Sequence, residues 1–388
     1  MNPVRDILLP ASKSIVQRYM LIGAVVFDDF YLRQKPTSHD VEVMGKALAD
    51  LSETVVDCAD SGTALRLLTA FLATLPTPHI LKGAERLSQR PIKPLVEALQ
   101  QLGAEIADSW PLYIKGPLSG SETTIDASQS SQFLTALMLI APTLPKGLTI
   151  VVEGEQASTP YIRMTEEVMR DCGVELMHNG NRLIIPHQSY RLPHREIEAD
   201  WSAAAFFYEM VALQPTLQLQ LHGLNADSWQ GDAIAQAWFK PLGVTTAFNT
   251  DGALLKGAEE ETEPLTYDFT NHPDLFMALA ATACGKRHPF VFSGLHNLLH
   301  KESRRLGAMS QALRDLGFHV TTDENKGIMS YDGEWEKPQQ DVAVDGCNDH
   351  RIVMALAPLK RLTRLHIKGE EAVAKSFPDF WNQFAKTL

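Results

Sequence analysis

The chain alternates two kinds of helical segment, and one kind is apolar on almost every side. "SKSIVQRYMLIGAV", "SGTALRLLTAFLA", "SSQFLTALMLIAP", "DWSAAAFFYEMVAL", "HPDLFMALAATA" and "DHRIVMALAPL" each open with small polar or acidic residues and continue as Ala- and Leu-rich runs. A helix without a polar face has to be enclosed by other elements. The second kind is amphipathic. "LVEALQQLGAEI", "EEVMRDCGVELM", "AQAWFKPLGVTT" and "SQALRDLGFHV" each pass through a glycine-containing turn, the mark of a helix C-cap, into an alternating strand. "DVEVMGKALADL" and "DFWNQFAKTL" are weaker copies, and alternating runs such as "TTIDAS", "LTIVVEG" and "LQLQLHGL" predict half-exposed strands. The pattern amounts to roughly six units of about 65 residues, each with two helices and several strands. An α/β fold of two similar domains with three units apiece is the economical solution, with the seam near "EIEADWS".

At 388 residues and 45% hydrophobic the chain can bury at least one large core, and its net charge of -12 is a poor match for a phosphate backbone or an anionic membrane. Small anions remain allowed. Cys58, Cys172, Cys284 and Cys347 are far apart and form no pair or cysteine-histidine cluster with metal-ligand spacing. A reducing cytoplasm and no metal are expected. No signal-like start and no apolar stretch long enough to span a bilayer are present, and the dinucleotide, Walker A, zincin and nucleophile-elbow patterns are missing.

Basic residues recur at or beside the helix starts: Lys13 and Arg18 in "SKSIVQR", Arg66 in "SGTALR", Arg90 in "SQRPIKPL", Lys301 and Arg305 in "HKESRRLGAM", Arg351 in "NDHRIVM" and Lys375 in "AKSFPDFW". Helix N-termini carry unpaired N–H groups and attract anions, so starts converging on one cleft would make an anion site. Lys301 and Arg305 are expected one turn apart on a helix, where they repel unless an anion lies between them. The alternative is a solvated Glu302–Arg305 pair with Lys301 in water. Asp274, Ser130, Ser158 and Asp349 each fit a plain N-cap as well as a chemical role. His350 is either a structural hydrogen bonder or a base, and Gly62 either a turn glycine or a point where backbone approaches a ligand.

In order, "SKS", Arg18, "GTALR", "QRPI", "SSQFLTAL", "STPYI", "PD", "KESRR", "NDHR" and "KSFPD" resemble the motifs of the enolpyruvyl transferases, from "LPASKSIVQR" to "SFPDFW". That resemblance implies an α/β fold of two similar domains, each of three βαβαββ-type repeats with buried parallel helices, the inside-out α/β barrel of that family. It places residues 11–198 in one domain and 1–10 with 199–388 in the other, with the active site in the cleft between them. It implies transfer of the enolpyruvyl group of phosphoenolpyruvate to the 5-hydroxyl of shikimate 3-phosphate with release of phosphate, on the way to chorismate and aromatic amino acids. A cytoplasmic monomer without metal, organic cofactor, nucleic acid or membrane partner is expected.

Carried over by motif, the resemblance assigns shikimate 3-phosphate to Lys13, Ser14, Arg18, Ser130, Ser131, Gln132, Ser158, Tyr161, Asp274, Asn297 and Lys301. It assigns phosphoenolpyruvate to Lys13, Gly62, Arg90, Gln132, Arg305, Arg351 and Lys375. Asp274 is the implied base for the hydroxyl, Glu302 the acid at C3, and Lys13 assists departure of phosphate. Two multiply charged anions side by side need such a surplus of cations, with arginine suited to bidentate contacts. Several positions depart from the family pattern: Ala11, Gln17, Thr159, Arg163, Arg304, and Asp60, which stands where the "NAGT" or "NSGT" loop has Asn. Asp60 is either an N-cap or an extra negative charge beside the phosphate. The related transferase acting on UDP-N-acetylglucosamine is disfavoured, because Lys13-Ser14 stands where a Lys-Asn pair is expected and no loop cysteine can be placed. Two rivals from other classes are a non-catalytic binder of a phosphorylated metabolite and a repeat-built interaction protein, the latter predicting an apolar groove in place of a cationic site.

Overall fold

One strand order recurs in four sheets. In each, two parallel strands are followed by an antiparallel pair, so that the last strand in sequence lies inside and the one before it at the edge. The computed structural model describes residues 3–26, 38–49, 51–107, 109–128, 130–154 and 157–388, with His300 described by its backbone alone. The chain divides into two compact units, Met1–Ser12 with Glu198–Leu388, and Lys13–Ile197.

In the unit Lys13–Ile197, Val55–Asp57 runs parallel to His79–Lys82, followed by Leu112–Lys115 and the edge strand Glu105–Ile106. The second sheet repeats this with Glu122–Asp126, Leu148–Glu153, Arg182–Ile185 and Met177–Asn179. In the other unit, Leu265–Asp268, Phe290–Ser293, Ile328–Trp335 and Phe318–Asp323 follow the same order. A further sheet there borrows its first strand from the start of the chain: Val4–Leu8 pairs in parallel with Gln218–His222. The last repeat keeps only the parallel pair Val342–Asp345 and Leu365–Lys368. Each parallel pair needs a crossover, and in every pair but Val4–Leu8 with Gln218–His222 it runs through an apolar helix.

Those helices form the cores. Lys13–Val25 packs against both Gly62–Leu72 and Ser131–Ile140, and these pack on each other. In the other unit Phe276–Lys286 lies between Trp201–Leu213 and His350–Leu356. Every residue from Trp201 to Ala212 is buried, as a helix apolar all round requires. The amphipathic helices cover Lys93–Gln101, Thr159–Asp171 and Arg305–Asp315. The segment "AQAWFKPLGVTT" is shorter than its pattern suggests: a 3₁₀ turn, Gly231–Ile234, leads into one helical turn, Ala235–Trp238. Pro241 offers no N–H to continue it, and the chain closes in tight turns to Gly243. Gly317 shows why glycine ends these helices. It holds φ +86° with its α-carbon facing the Glu336 carbonyl, where a Cβ would sit 2.0 Å from oxygen.

Among the described residues no helix is long and apolar enough to cross a membrane. Glu209 is an anomaly in the core of the C-terminal unit. It is fully buried, and neither carboxylate oxygen has a hydrogen-bond partner. Burial pushes its pKa well above the ordinary carboxylate range, so the folded protein carries the neutral acid. The unfolded chain ionises the same group at its ordinary value. Stability is therefore lost as pH rises above that value, until the folded group also ionises. Glu209→Met removes the penalty: the melting temperature at pH 8 should rise by about 2 °C or more, and the fall between pH 5 and pH 8 should be shallower than in the wild type.

Candidate functional site

The unit Lys13–Ile197 gathers cations at the starts of its buried helices. Lys13 opens its helix, and its Nζ lies 2.7 Å from Oδ2 of Asp40, in the first turn of the helix His39–Ala49. Gln17 ties the same two helices together by donating from Nε2 to the Asp40 carbonyl at 3.1 Å. Arg18 is 3% exposed. It donates to Thr165 Oγ1 at 2.9 Å, to the Ser14 carbonyl at 2.7 Å and to the Tyr161 carbonyl at 3.1 Å. Burial lowers its pKa to about 10, still a full cation at neutral pH. Arg66 donates to the Gly62 carbonyl, Gln132 Oε1 and the Pro91 carbonyl at 2.8, 3.0 and 2.9 Å. Burial, and then the charge of Arg90, push its pKa well down. Among the described residues no carboxylate pairs with Arg18 or Arg66; their partners are neutral oxygens. Two charges desolvated this way favour an anionic ligand.

Gly62 is a point of close approach. A Cβ there would lie 1.9 Å from Nη1 of Arg90 and 2.5 Å from its Cζ, so only glycine lets that guanidinium lie across the helix start. Gln132 joins this corner to the next helix, donating to Thr63 Oγ1 at 3.0 Å. Ser130 is an N-cap whose Oγ accepts from the Gln132 N–H at 3.3 Å, with Ser131 buried behind it. Ser158 holds the cap position of Thr159–Asp171 but makes no cap hydrogen bond, and its φ of 59° is left-handed. Strained non-glycine backbone of this kind clusters at functional sites.

In the other unit the centre is Arg305, 2% exposed. Its Nε and Nη2 donate to Asp349 at 2.8 and 3.1 Å, and its Nη1 donates to Asp274 Oδ1 at 3.0 Å. The other oxygen of Asp274, Oδ2, accepts from Arg351 Nη2 at 3.0 Å, and Lys301 Nζ lies 3.9 Å from Oδ1. Asp349 also caps His350–Leu356 and accepts from Ser303 Oγ at 2.9 Å. Glu302 meets His350 Nδ1 at 2.9 Å, Lys375 Nζ at 3.8 Å and Arg305 at 3.9 Å. Burial pushes the Glu302 carboxyl up, but His350, Lys375 and Arg305 together outweigh it and hold it well below the usual range. Asn297 lies half-buried on the 3₁₀ turn His296–His300; among the described residues it has no hydrogen bond to this cluster.

One expectation is corrected. Lys301 and Arg305 do not share a helix: Lys301 is extended at the end of a 3₁₀ turn, and the helix begins at Arg305. A helix would splay residues 301 to 305 around its axis, whereas this run lets Lys301, Glu302, Ser303 and Arg305 all reach one cluster. Nor is Glu302–Arg305 a solvated pair, since both are largely buried.

Sequence reading singled out neither Asp40, Thr165 nor Asp232 for this chemistry. Asp232 is buried, accepts from Ser202 Oγ and lies 4.0 Å from His272. Burial and then the charge of Asp274 raise its pKa to about 7, against the opposing pull of Ser202 and Arg351. Its "QGD" setting gave no periodic or motif signal. Glu302, Asp349 and His350 offer ligand atoms within 4.8 Å of one another. Arg305 and Ser303 already occupy Asp349, and a guanidinium there opposes a metal ion.

The model of the family described as EPSP synthase (3-phosphoshikimate 1-carboxyvinyltransferase) matches residues 50–384. A Bacteroides fragilis protein named 3-phosphoshikimate 1-carboxyvinyltransferase is 38% identical over 98% of this chain and 94% of its own. The chain belongs to the EPSP synthase family. A Colwellia psychrerythraea family member of the same name is 32% identical over 100% of this chain and 98% of its own. A solved EPSP synthase from Acinetobacter baumannii shares the fold, with a TM-score of 0.75 at 20% identity over 100% of this chain and 96% of that one. Within this family member, Gly62→Ala should displace the Arg90 guanidinium. Calorimetry with inorganic phosphate should show affinity falling about tenfold, the loss of one charge-assisted contact; unchanged affinity would place Arg90 outside the anion site.

Proposed function

We propose that the chain transfers the enolpyruvyl group of phosphoenolpyruvate to the 5-hydroxyl of shikimate 3-phosphate and releases phosphate, and that the cations of Lys13–Ile197 and the Asp274–Glu302 cluster act on one pair of substrates. The observation that carries this reading is the setting of Glu302, whose carboxylate lies 2.9 Å from His350 Nδ1, 3.8 Å from Lys375 Nζ and 3.9 Å from Arg305; Lys375 and Arg305 are among the cations assigned to phosphoenolpyruvate, and the three together hold the carboxyl well below the usual range. A bound anion draws Lys375 and Arg305 to itself, the grip on Glu302 weakens, and the carboxyl takes up the proton it must deliver.

The same exchange frees the base. Arg305 and Arg351 each hold one oxygen of Asp274; a substrate carboxylate competing for those guanidiniums releases the Asp274 oxygens to accept a hydroxyl proton. Oxygen 5 then bonds to C2 as its proton passes to Asp274, and C3 gains a proton from Glu302. In the second step C3 returns that proton, the C2–O bond to phosphate breaks with its electron pair on phosphate, and the enol ether forms. Lys13, positioned by Asp40, neutralises the departing charge. Shikimate 3-phosphate takes Arg18, Ser14, Ser130, Ser131, Ser158, Tyr161, Asn297 and Lys301; Gly62, Arg90 and Gln132 flank phosphoenolpyruvate. The buried thiols Cys58, Cys172 and Cys284 support a cytoplasmic setting, where thiols stay reduced.

Phosphate release should require both substrates, and Glu302→Gln and Asp274→Asn should each lower its rate by about 100-fold or more, as loss of a proton-transfer group does. Shikimate 3-phosphate binding in calorimetry without release would point to a non-catalytic sensor, and absence of both would overturn the substrate assignment.

A further inference from the structure

Asp60 departs from the family pattern, and its surroundings show what the change does. The N-cap of Gly62–Leu72 is Ser61, whose Oγ accepts from the Ala64 N–H at 3.3 Å, so Asp60 is not spent as the cap. Its Oδ1 lies 3.4 Å from Nε2 of His39, with both side chains about half exposed at 49% and 46%. His39 is the first residue of the helix His39–Ala49 and precedes Asp40, the partner of Lys13. Asp60 precedes Ser61 and Gly62, where Arg90 lies across the helix start. The His39–Asp60 contact therefore links the helix whose Asp40 holds Lys13 to the helix start at Gly62 against which Arg90 lies.

A carboxylate two residues from Gly62 opposes any anion bound there, and an imidazole 3.4 Å from its oxygen offsets that opposition whenever it is cationic. We propose that His39 and Asp60 are a charge-balancing pair of positioning residues that sets the affinity of the Lys13–Gly62–Arg90 corner for the phosphate group of its substrate. The inference rests on phosphoenolpyruvate binding at that corner.

The test is a double-mutant cycle of wild type, His39→Gln, Asp60→Asn and the double variant, read as the KM for phosphoenolpyruvate and kcat at saturating shikimate 3-phosphate. One unit charge about 8 Å from a dianion through water alters its binding roughly fivefold. His39→Gln should raise KM by about threefold to fivefold, Asp60→Asn should lower it by a similar factor, and His39→Gln should have no effect in the Asp60→Asn background. All kcat values should stay within about twofold of one another, and added salt should shrink the differences. An unchanged KM in His39→Gln, a shift that persists in the Asp60→Asn background, or a higher KM in Asp60→Asn would each overturn the pair. If the wild type releases no phosphate the proposed reaction fails, and the same cycle is read as the dissociation constant of inorganic phosphate by calorimetry. The same signs there sustain the pair, and four equal constants overturn it.

Discussion

A helix that is apolar on every side has to be surrounded, and most of the architecture follows from satisfying that requirement six times. Four of these helices, Gly62–Leu72, Ser131–Ile140, Phe276–Lys286 and His350–Leu356, cross between two parallel strands, and over the first three an antiparallel pair completes the sheet. The helix starts are the polar ends that such burial leaves, with unpaired N–H groups and a partial positive charge. The residues with chemical potential collect at those ends: Lys13 and Gly62 as first helical residues, Ser130 and Asp349 as caps, Asp274 in the turn before Phe276–Lys286.

The two units hold the buried arginines of the candidate site in opposite ways, whereas Lys13 rests on Asp40. In Lys13–Ile197, Arg18 and Arg66 are held by carbonyl, hydroxyl and amide oxygens, which fix geometry without cancelling charge. In the other unit every arginine of the cluster rests on a carboxylate, and Asp274, Glu302 and Asp349 share them. The first arrangement suits holding anions. The second suits moving protons, because displacing one guanidinium changes the proton affinity of the acid it leaves.

What the sequence revealed was whatever depends on neighbours in the chain. The apolar runs, the glycine C-caps and the basic residues at helix starts are local signals, and the elements appear where those signals lie. The partners were not legible, because they come from elsewhere: Asp40 for Lys13, Thr165 for Arg18, Asp349 for Arg305, Asp232 beside Asp274. The short Ala235–Trp238 turn escaped because its apolar pattern continued through Pro241. The start of the helix at Arg305 escaped because "KESRRLGAM" has helical spacing, while its side chains are satisfied only if the first four residues run outside a helix. Ser130 and Ser158 occupy equivalent positions by sequence, yet only one makes a cap hydrogen bond.

The borrowed strand Val4–Leu8 has a consequence for how the chain is made. Its parallel partner, Gln218–His222, leaves the ribosome long after it, while the whole of Lys13–Ile197 is contiguous and complete in between. The sheets of the central unit draw every strand from that one stretch. The first strand has to wait, with Val4 and Leu8 on a segment that has nothing to pair with until the second half of synthesis. Closing that long loop carries an entropic cost, so the order of translation separates the continuous stretch Lys13–Ile197 from a unit drawn from the chain on both sides of it.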